Sequence, residues 1–347
     1  MKHTLMNLAA ADGISGFEFS LTDTVCRLLS PYCESVEADP MGNVVGVIPG
    51  TEPAGGSVML EAHIDGIGLM VSDISEDGFL SFVPVGGVDG AILPGAEVRV
   101  CGREVLYGVI GAKPPHLQTG GESGAADWHD MVIDIGCGGE AARQKVAVGD
   151  MVCFAERPKA LHGGVLSGKS FDDRAGLISL LLCLEELKGA ELPFTVYVVA
   201  AVQEEVGLRG AALVSERLMP DCAFVVDVCH GDTPDAGRES IFKLKSGAVI
   251  SFGPNIHPYL SNLAKTVAQS EGITVSYDAD GGDTGTDAWA VQVAGTGIPV
   301  LLLSVPLRYM HTTVETLHYD DVKAVGALLA AMLQKLDLEE LACTFRN

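Results

Sequence analysis

The sequence predicts an α/β fold: a doubly wound, mostly parallel sheet carrying an inserted small β-barrel-like domain. Two patterns and one number point there. Apolar β-type runs alternate with helical stretches over residues 1–67 and again over 162–347, as when strands are covered by helices. Over 68–161 helical periodicity is slight, and short β-type runs are separated by Gly, Pro and Asp, as in a barrel or sandwich. Of the 347 residues, 48% are hydrophobic, enough to line a large core. The expected organisation is therefore a discontinuous α/β domain, 1–67 plus 162–347, with 68–161 inserted into it.

The elements follow in chain order. Residues 1–12 and Glu18–Leu29 read as helices, broken by Gly13-Ile14-Ser15-Gly16. Gly42 opens a turn into a strand reaching Val47, and Ser57–His63 is a buried strand with a polar end. The insert offers β-type runs at Leu69–Ser72, Phe79–Val83, Glu97–Val100, Val105–Ile110, Met131–Ile135 and Met151–Phe154. Beyond it come a helix at Ala175–Leu187, a strand at Phe194–Val202 and a helix at Gly207–Leu218. A strand at Cys222–Val228, a helix at Pro258–Ser270, a strand at Ile298–Leu303 and a closing helix at Thr316–Lys335 complete the layer. Gly231–Pro234 reads as a polar loop.

Charge and cysteine usage exclude some classes. Lys and Arg number 22 against 46 Asp and Glu, a net charge of -24, which argues against nucleic acid or an anionic membrane as partner. The nine cysteines are scattered, with no CxxC pair, so reduced thiols in a cytoplasmic protein are expected. The N-terminus lacks the apolar core of a signal peptide, and no apolar run reaches the ~18 residues of a membrane helix.

The chemistry gathers where apolar runs stop. The strand ending at Val202 gives way to Glu204-Glu205, and neighbouring residues on extended chain face opposite sides. One carboxylate can hold a metal while the other handles a proton; an isolated Glu-Glu pair is more often a solvated loop start. His63-Ile64-Asp65 puts a carboxylate on the face of the imidazole, where it can orient a metal-binding ring, though a lone HxD is as often structural. Asp172-Asp173-Arg174 precedes a helix; one Asp suits an N-cap, and one could bridge two cations while Arg174 holds its neighbour. Asp227 closes an apolar strand, where an unpaired charge is costly, and His311 follows another. Together His63, Asp172, Glu205, Asp227 and His311 end elements of one layer. Such oxygen and imidazole donors, without thiolate, suit zinc, cobalt or manganese. Three carboxylates against two divalent cations leave positive charge over, which favours a bound hydroxide as nucleophile, with Glu204 outside the ligand set as general base.

At these residues the sequence resembles the tetrahedral, or glutamyl, aminopeptidases, dinuclear metallopeptidases that include endoglucanase-annotated members. The likeness runs through His63-Ile64-Asp65, Pro84–Asp89, Gly111–Leu117, Ile133–Gly136, Asp172–Gly176, Glu204–Gly207, Gly285-Thr286-Asp287 and Arg308–His311. It implies a metallo-exopeptidase type of sheet and two divalent ions, Zn2+, Co2+ or Mn2+. It implies that Asp172 bridges them, with His63 and Asp227 on one and Glu205 and His311 on the other. By the same resemblance Glu204 moves the proton and Asp65 supports His63. The insert would serve dimerisation, and dimers would build a hollow dodecamer admitting unfolded peptides. One departure stands out: Gly66 occupies the place of a usual Glu, which removes a carboxylate near the site.

Three functions are compatible with the residues. The first is an aminopeptidase acting on peptides. The second is a glycosidase using Glu204 and Glu205, which the scarcity of aromatics (6%, two Trp) disfavours. The third is a metal-stabilised peptide-binding scaffold without activity. Thr286 and Asp287 could line the pocket or cap a turn. Arg308 could bind a substrate carboxylate or pair with Asp287, and His116 could reach a neighbouring subunit's site.

Overall fold

The computed structural model describes residues 1–112, 128–234, 237 and 240–344. The chain opens with α1 (Lys2–Ala10), α2 (Phe19–Leu29), β1 (Ser35–Ala38), β2 (Val44–Ile48) and β3 (Ser57–His63). Next come β4 (Gly68–Ile74), β5 (Leu80–Val85), β6 (Glu97–Cys101), β7 (Val105–Ala112), β8 (Met131–Asp134), α3 (Gly139–Lys145) and β9 (Met151–Phe154). The chain returns through β10 (Lys159–Ala160), β11 (Val165–Gly168), α4 (Phe171–Glu186), β12 (Thr195–Ala201), α5 (Arg209–Leu218) and β13 (Cys222–His230). It ends with β14 (Ala248–Phe252), α6 (Pro258–Glu271), β15 (Val275–Ala279), α7 (Asp287–Gln292), β16 (Val300–Arg308), β17 (Glu315–His318), α8 (Tyr319–Leu333) and α9 (Leu338–Cys343).

The large sheet runs β1-β2-β12-β3-β13-β16-β17-β11-β10, and its central strands β12, β3, β13 and β16 are parallel. They are apolar along almost their whole length because helices cover both faces. β16 is long enough to use one edge twice. Near its middle it pairs with β14, Val249 opposite Ser304, and at its end with β17, Leu307 opposite Leu317. β14 then carries β15 in parallel. Register aligns the carboxyl ends: Ala201 lies opposite His63, and Asp227 opposite Ser304. In open α/β sheets this edge is where ligands bind.

Three expectations need correction. Thr316–His318, expected as the first turn of the closing helix, belongs to strand β17 between β11 and β16; the helix begins at Tyr319, where the His318 ring accepts the Asp320 N–H. The insert contains a helix, α3, where only β-type runs were expected. Gly231–Pro234 is more than a polar loop, since Gly231 bridges to Phe242 and Asp232 holds Arg308.

Strands β4-β5-β8-β7-β6-β9 close into a barrel. Alternate residues such as Leu69 and Val71, Leu80 and Phe82, Val98 and Val100, and Val152 and Phe154 point inward and form an apolar core separate from that of the sheet. All nine cysteines are free, and no helix among the described residues is long and apolar enough to cross a membrane.

Helix α4 is the pivot between sheet and termini. Arg174 in its first turn is buried, and its guanidinium donates to four backbone oxygens: Ile64, Leu8, Ala11 and Gly13. That ties α1 and the following loop to the end of β3. On the other side α4 packs on α8, where the Ser179 hydroxyl donates to the Val322 carbonyl. Gly326 permits that approach: a Cβ there would sit 2.7 Å from Leu182 Cβ and 2.8 Å from the Ser179 carbonyl oxygen. Overpacking a close contact of this kind costs about 1–3 kcal/mol. Gly326→Val is therefore expected to lower the unfolding free energy by about that amount in a denaturant titration, whereas Gly281→Ala, at a position with open space around it, leaves the midpoint nearly unchanged.

Candidate metal centre

Four of the candidate ligands sit where an element begins or ends; Asp227, expected to close its strand, lies within β13, which continues to His230. His63 is the last residue of β3, and Asp227 lies in β13 one strand away. Glu204 and Glu205 follow β12 after Gln203, whose φ of 59° turns the chain. His311 follows β16, also at φ 59°. Asp172 stands at the head of α4 with non-helical backbone, φ -73° and ψ 109°.

These side chains meet. His63 Nε2 is 3.2 Å from Asp172 Oδ1 and 3.9 Å from both Asp227 Oδ1 and Glu204 Oε2. His311 Nε2 is 3.3 Å from Asp172 Oδ2 and 3.2 Å from Glu205 Oε2. Asp172 thus offers one oxygen to each imidazole. Two groups of donors have their atoms within 4.8 Å of one another: Asp172, Glu205 and His311, and His63, Asp227 and Asp173. The second group brings in Asp173 beside Asp172, although Asp172 Oδ1 is itself in contact with His63. Asp172 reaches both groups. Asp173 is fully buried, with Oδ1 accepting the Gly176 N–H and Oδ2 unpaired. The expectation that Arg174 holds this Asp is corrected, because the guanidinium turns to backbone carbonyls instead.

A supporting layer positions these groups. Asp65 is buried, with Oδ1 3.3 Å from His63 Nδ1. It accepts the Ser15 hydroxyl at 2.6 Å and the N–H groups of Glu204 and Glu205 at 3.1 and 3.2 Å. One carboxylate therefore orients both the imidazole and the Glu-Glu turn. Glu18 accepts the Gln203 N–H at 3.0 Å and Glu315 accepts those of Phe171 and Asp172 at 2.7 and 3.2 Å. The sequence reading did not single out Glu18 or Glu315; nothing in a local pattern marks a carboxylate that caps a distant segment.

Too much negative charge collects here for the protein alone. Burial pushes the carboxyls of Glu205, Asp227 and Asp173 well above the usual range, and neighbouring carboxylates add to it. Glu204 is pushed up to about 8 by burial and then by Asp287, Asp172 and Asp65, against the opposing pull of His63. Burial would lower the His63 imidazole, but Glu204, Asp172 and Asp65 carry it well above its usual range. Asp172 goes the other way: burial would raise it, but hydrogen bonds with His311 and His63 hold it low. No Lys or Arg lines this cleft of about 600 Å³ among the described residues. Oxygen and imidazole donors, an unpaired buried carboxylate oxygen and no basic partner fit divalent cations, which would stabilise the ionised carboxylates in place of protons.

The remaining candidates separate. Thr286 lines the cleft and its hydroxyl accepts the Ala288 N–H as cap of α7. Asp287 faces Glu61 of β3; both are fully buried, find no other hydrogen-bond partner among the described residues, and are held well above the carboxylate range by burial. Arg308 is engaged by Asp232, Nη2 to Oδ1 at 2.5 Å, rather than by Asp287. His116 lies outside the described residues. Gly66 stands against Ser170, whose hydroxyl would be 3.1 Å from an added Cβ.

The barrel touches the centre. In the loop after β5, a Cβ on Gly87 would lie 2.6 Å from His311 Nδ1, and one on Gly86 (φ 78°) would lie 3.3 Å from Glu205 Oε2. Gly87→Ala is expected to displace the imidazole and weaken divalent-cation binding tenfold or more in a calorimetric titration with unchanged circular dichroism, the scale seen when a ligand's support is altered. Unaltered affinity would mean that the loop does not set the position of His311.

Comparison with known proteins follows the same lines. The chain is 33% identical to a lysyl aminopeptidase of Pyrococcus furiosus over 96% of each chain. Its fold superposes on a TET aminopeptidase from a marine-sediment archaeon of the Thaumarchaeota with a TM-score of 0.92, at 32% identity over 98% of each chain. The TET1 peptidase of Pyrococcus horikoshii, which can assemble into a tetrahedron or a large octahedral shell, superposes with a TM-score of 0.85 at 32% identity, over 96% of this chain and 99% of that one. Residues 42–328 match the profile of the M42 glutamyl aminopeptidases. A match over most of the chain, on a sheet whose strand ends gather imidazoles and carboxylates, means that this chain is a peptidase and belongs to the M42 glutamyl aminopeptidase family.

Proposed function

We propose that the chain removes N-terminal residues from peptides using two divalent cations and Glu204 as general base. The observation that supports this most directly is the division of Asp172, with Oδ1 toward His63 and Oδ2 toward His311. His63 and Asp227 would hold one cation, Glu205 and His311 the other, and Asp172 both. The donor set suits zinc, cobalt or manganese. When bound, such a pair supplies Lewis acidity that polarises a carbonyl and acidifies a water.

Glu204 is the proton carrier in this reading. Its backbone is held by Asp65 while its side chain faces the cleft, 3.9 Å from His63 Nε2. Its carboxyl, pushed up to about 8 in the protein alone, would come down beside cations, toward the range where one group can both take and return a proton at neutral pH. It takes the proton of the attacking water and delivers it to the departing amine nitrogen. Asp65 does not touch substrate; it positions His63 and the turn that carries Glu204. Glu204→Gln is expected to keep the metal content and peptide binding while lowering kcat about a thousandfold. Chelation should abolish turnover, and zinc, cobalt or manganese should restore it. Full activity in protein shown by metal analysis to be metal-free would overturn the reading.

The inserted segment 68–161 serves assembly in this reading. The outer face of β7 presents Val105, Tyr107 and Val109, 61%, 56% and 42% exposed, an apolar stripe suited to a second copy of the chain. Dimers so formed would build a dodecamer; the TET1 peptidase of Pyrococcus horikoshii can assemble into a tetrahedron or a large octahedral shell. Tyr107→Glu with Val109→Glu should shift the mass in light scattering toward the monomer, and an unchanged mass would exclude this face as the contact.

A further inference from the structure

The cleft extends well past the metal-ligand candidates. Its floor is one face of the sheet, and register identifies the residues on it. Asp227 of β13 pairs with Ser304 of β16, Ser304 with Val249 of β14, and Ser251, two residues on, with Asp278 of β15. Paired residues share a face, as do residues two apart. Asp227, Ser304, Ser251 and Asp278 therefore lie along a diagonal line across four strands, stepping two residues along β14, and Ser304, Ser251, Asp278 and Asp280 all line the cleft. Three strand spacings of ~4.8 Å with a two-residue step of ~6.8 Å put about 16 Å between the two ends of that line.

The chemistry along the line changes in a definite order. At the near end are the metal-ligand candidates. In the middle the two serines are small, only 2% and 3% exposed, and their hydroxyls have no partner among the described residues while lining the cavity. Leu302 on the same face adds an apolar wall. At the far end Asp278 accepts the Ser240 hydroxyl and Asp280 accepts the Gly282 N–H, each through Oδ1. Neither meets a Lys or Arg among the described residues, so each keeps an oxygen for a ligand. A side chain entering from the metal end meets room, then methylene-compatible surface and hydroxyls, then negative charge.

We propose that this far wall is the subsite for the N-terminal side chain and that Asp278 and Asp280 select lysine or arginine there. The proposal rests on the aminopeptidase reading above for the orientation of the peptide. The four-carbon stem of lysine, or the longer arginine, spans the serine floor and brings its cation to the two carboxylates. A glutamyl side chain in the same trough brings its charge against the like charge of the far wall. Asp278 and Asp280 do not touch the reacting atoms; they determine specificity.

The test compares lysine with norleucine, an uncharged chain of similar length. The metal-loaded full chain is assayed with lysyl, arginyl, norleucyl and glutamyl p-nitroanilides, and binding of lysinamide and norleucinamide is measured by calorimetry. Expected are a kcat/KM at least tenfold higher for lysyl or arginyl than for norleucyl, the weakest value for glutamyl, and a matching preference in binding that shrinks as salt is raised. Asp278→Asn with Asp280→Asn should reduce the lysyl-to-norleucyl ratio tenfold or more, and Asp278→Lys should raise glutamyl relative to lysyl. Equal binding and turnover of lysyl and norleucyl compounds, or a glutamyl preference, would overturn the proposal. Selective binding of lysinamide without hydrolysis of any p-nitroanilide would sink the aminopeptidase reading and leave the subsite standing.

Discussion

Asp172 is 5% exposed and has an imidazole on each of its oxygens, yet Glu204, Glu205, Asp227 and Asp173 crowd the same few ångströms. Two imidazoles cannot offset that much buried charge, and among the described residues no lysine or arginine lines the cleft. An uncompensated ionised carboxylate in such surroundings is costly, so the group either takes a proton or finds a cation. The upward shift of most of these carboxyls is the protein's own answer, and divalent cations are the alternative that the donor set accommodates. Much of the surrounding architecture keeps these like charges together despite their repulsion.

That architecture works through elements rather than side chains alone. The ligand candidates stand in or just after the carboxyl-terminal part of buried parallel strands and at the head of a helix, positions with little freedom to relax apart. Asp65 couples the imidazole of His63 to the backbone of Glu204 and Glu205, and Glu315 holds the start of α4. Arg174 anchors the same helix to α1 and to the segment after His63. Sites carried on such elements hold geometry better than sites on free loops.

Much of this was legible in the sequence because the signal is local and abrupt. A run such as Thr195–Ala201 is apolar to its end and then meets two acids, and the same discontinuity marks His63 and His311. What escaped depends on partners far along the chain. Glu61 lies unremarked within the strand Ser57–His63, and only the fold brings Asp287 to it. Arg174 was read with its neighbour, whereas its partners are carbonyls more than one hundred residues away. β17 was absorbed into the following helix because Thr316-Leu317-His318 carries no period of its own and is made a strand by β11 and β16. β15, half-exposed at the end of a side branch of the sheet, has too little apolar alternation to announce itself.

The Gly86–Gly87 turn gives the barrel a direct hold on the centre. Its backbone lies so close to His311 and Glu205 that a single added methyl group has no room. Any event that shifts the barrel against the α/β layer must therefore alter the energy of those two side chains, and filling the centre must in return bias where the barrel rests. Thermodynamic reciprocity makes the two effects equal in size. The turn thus couples the position of the barrel to the geometry of the centre, with no separate pocket needed to connect the two.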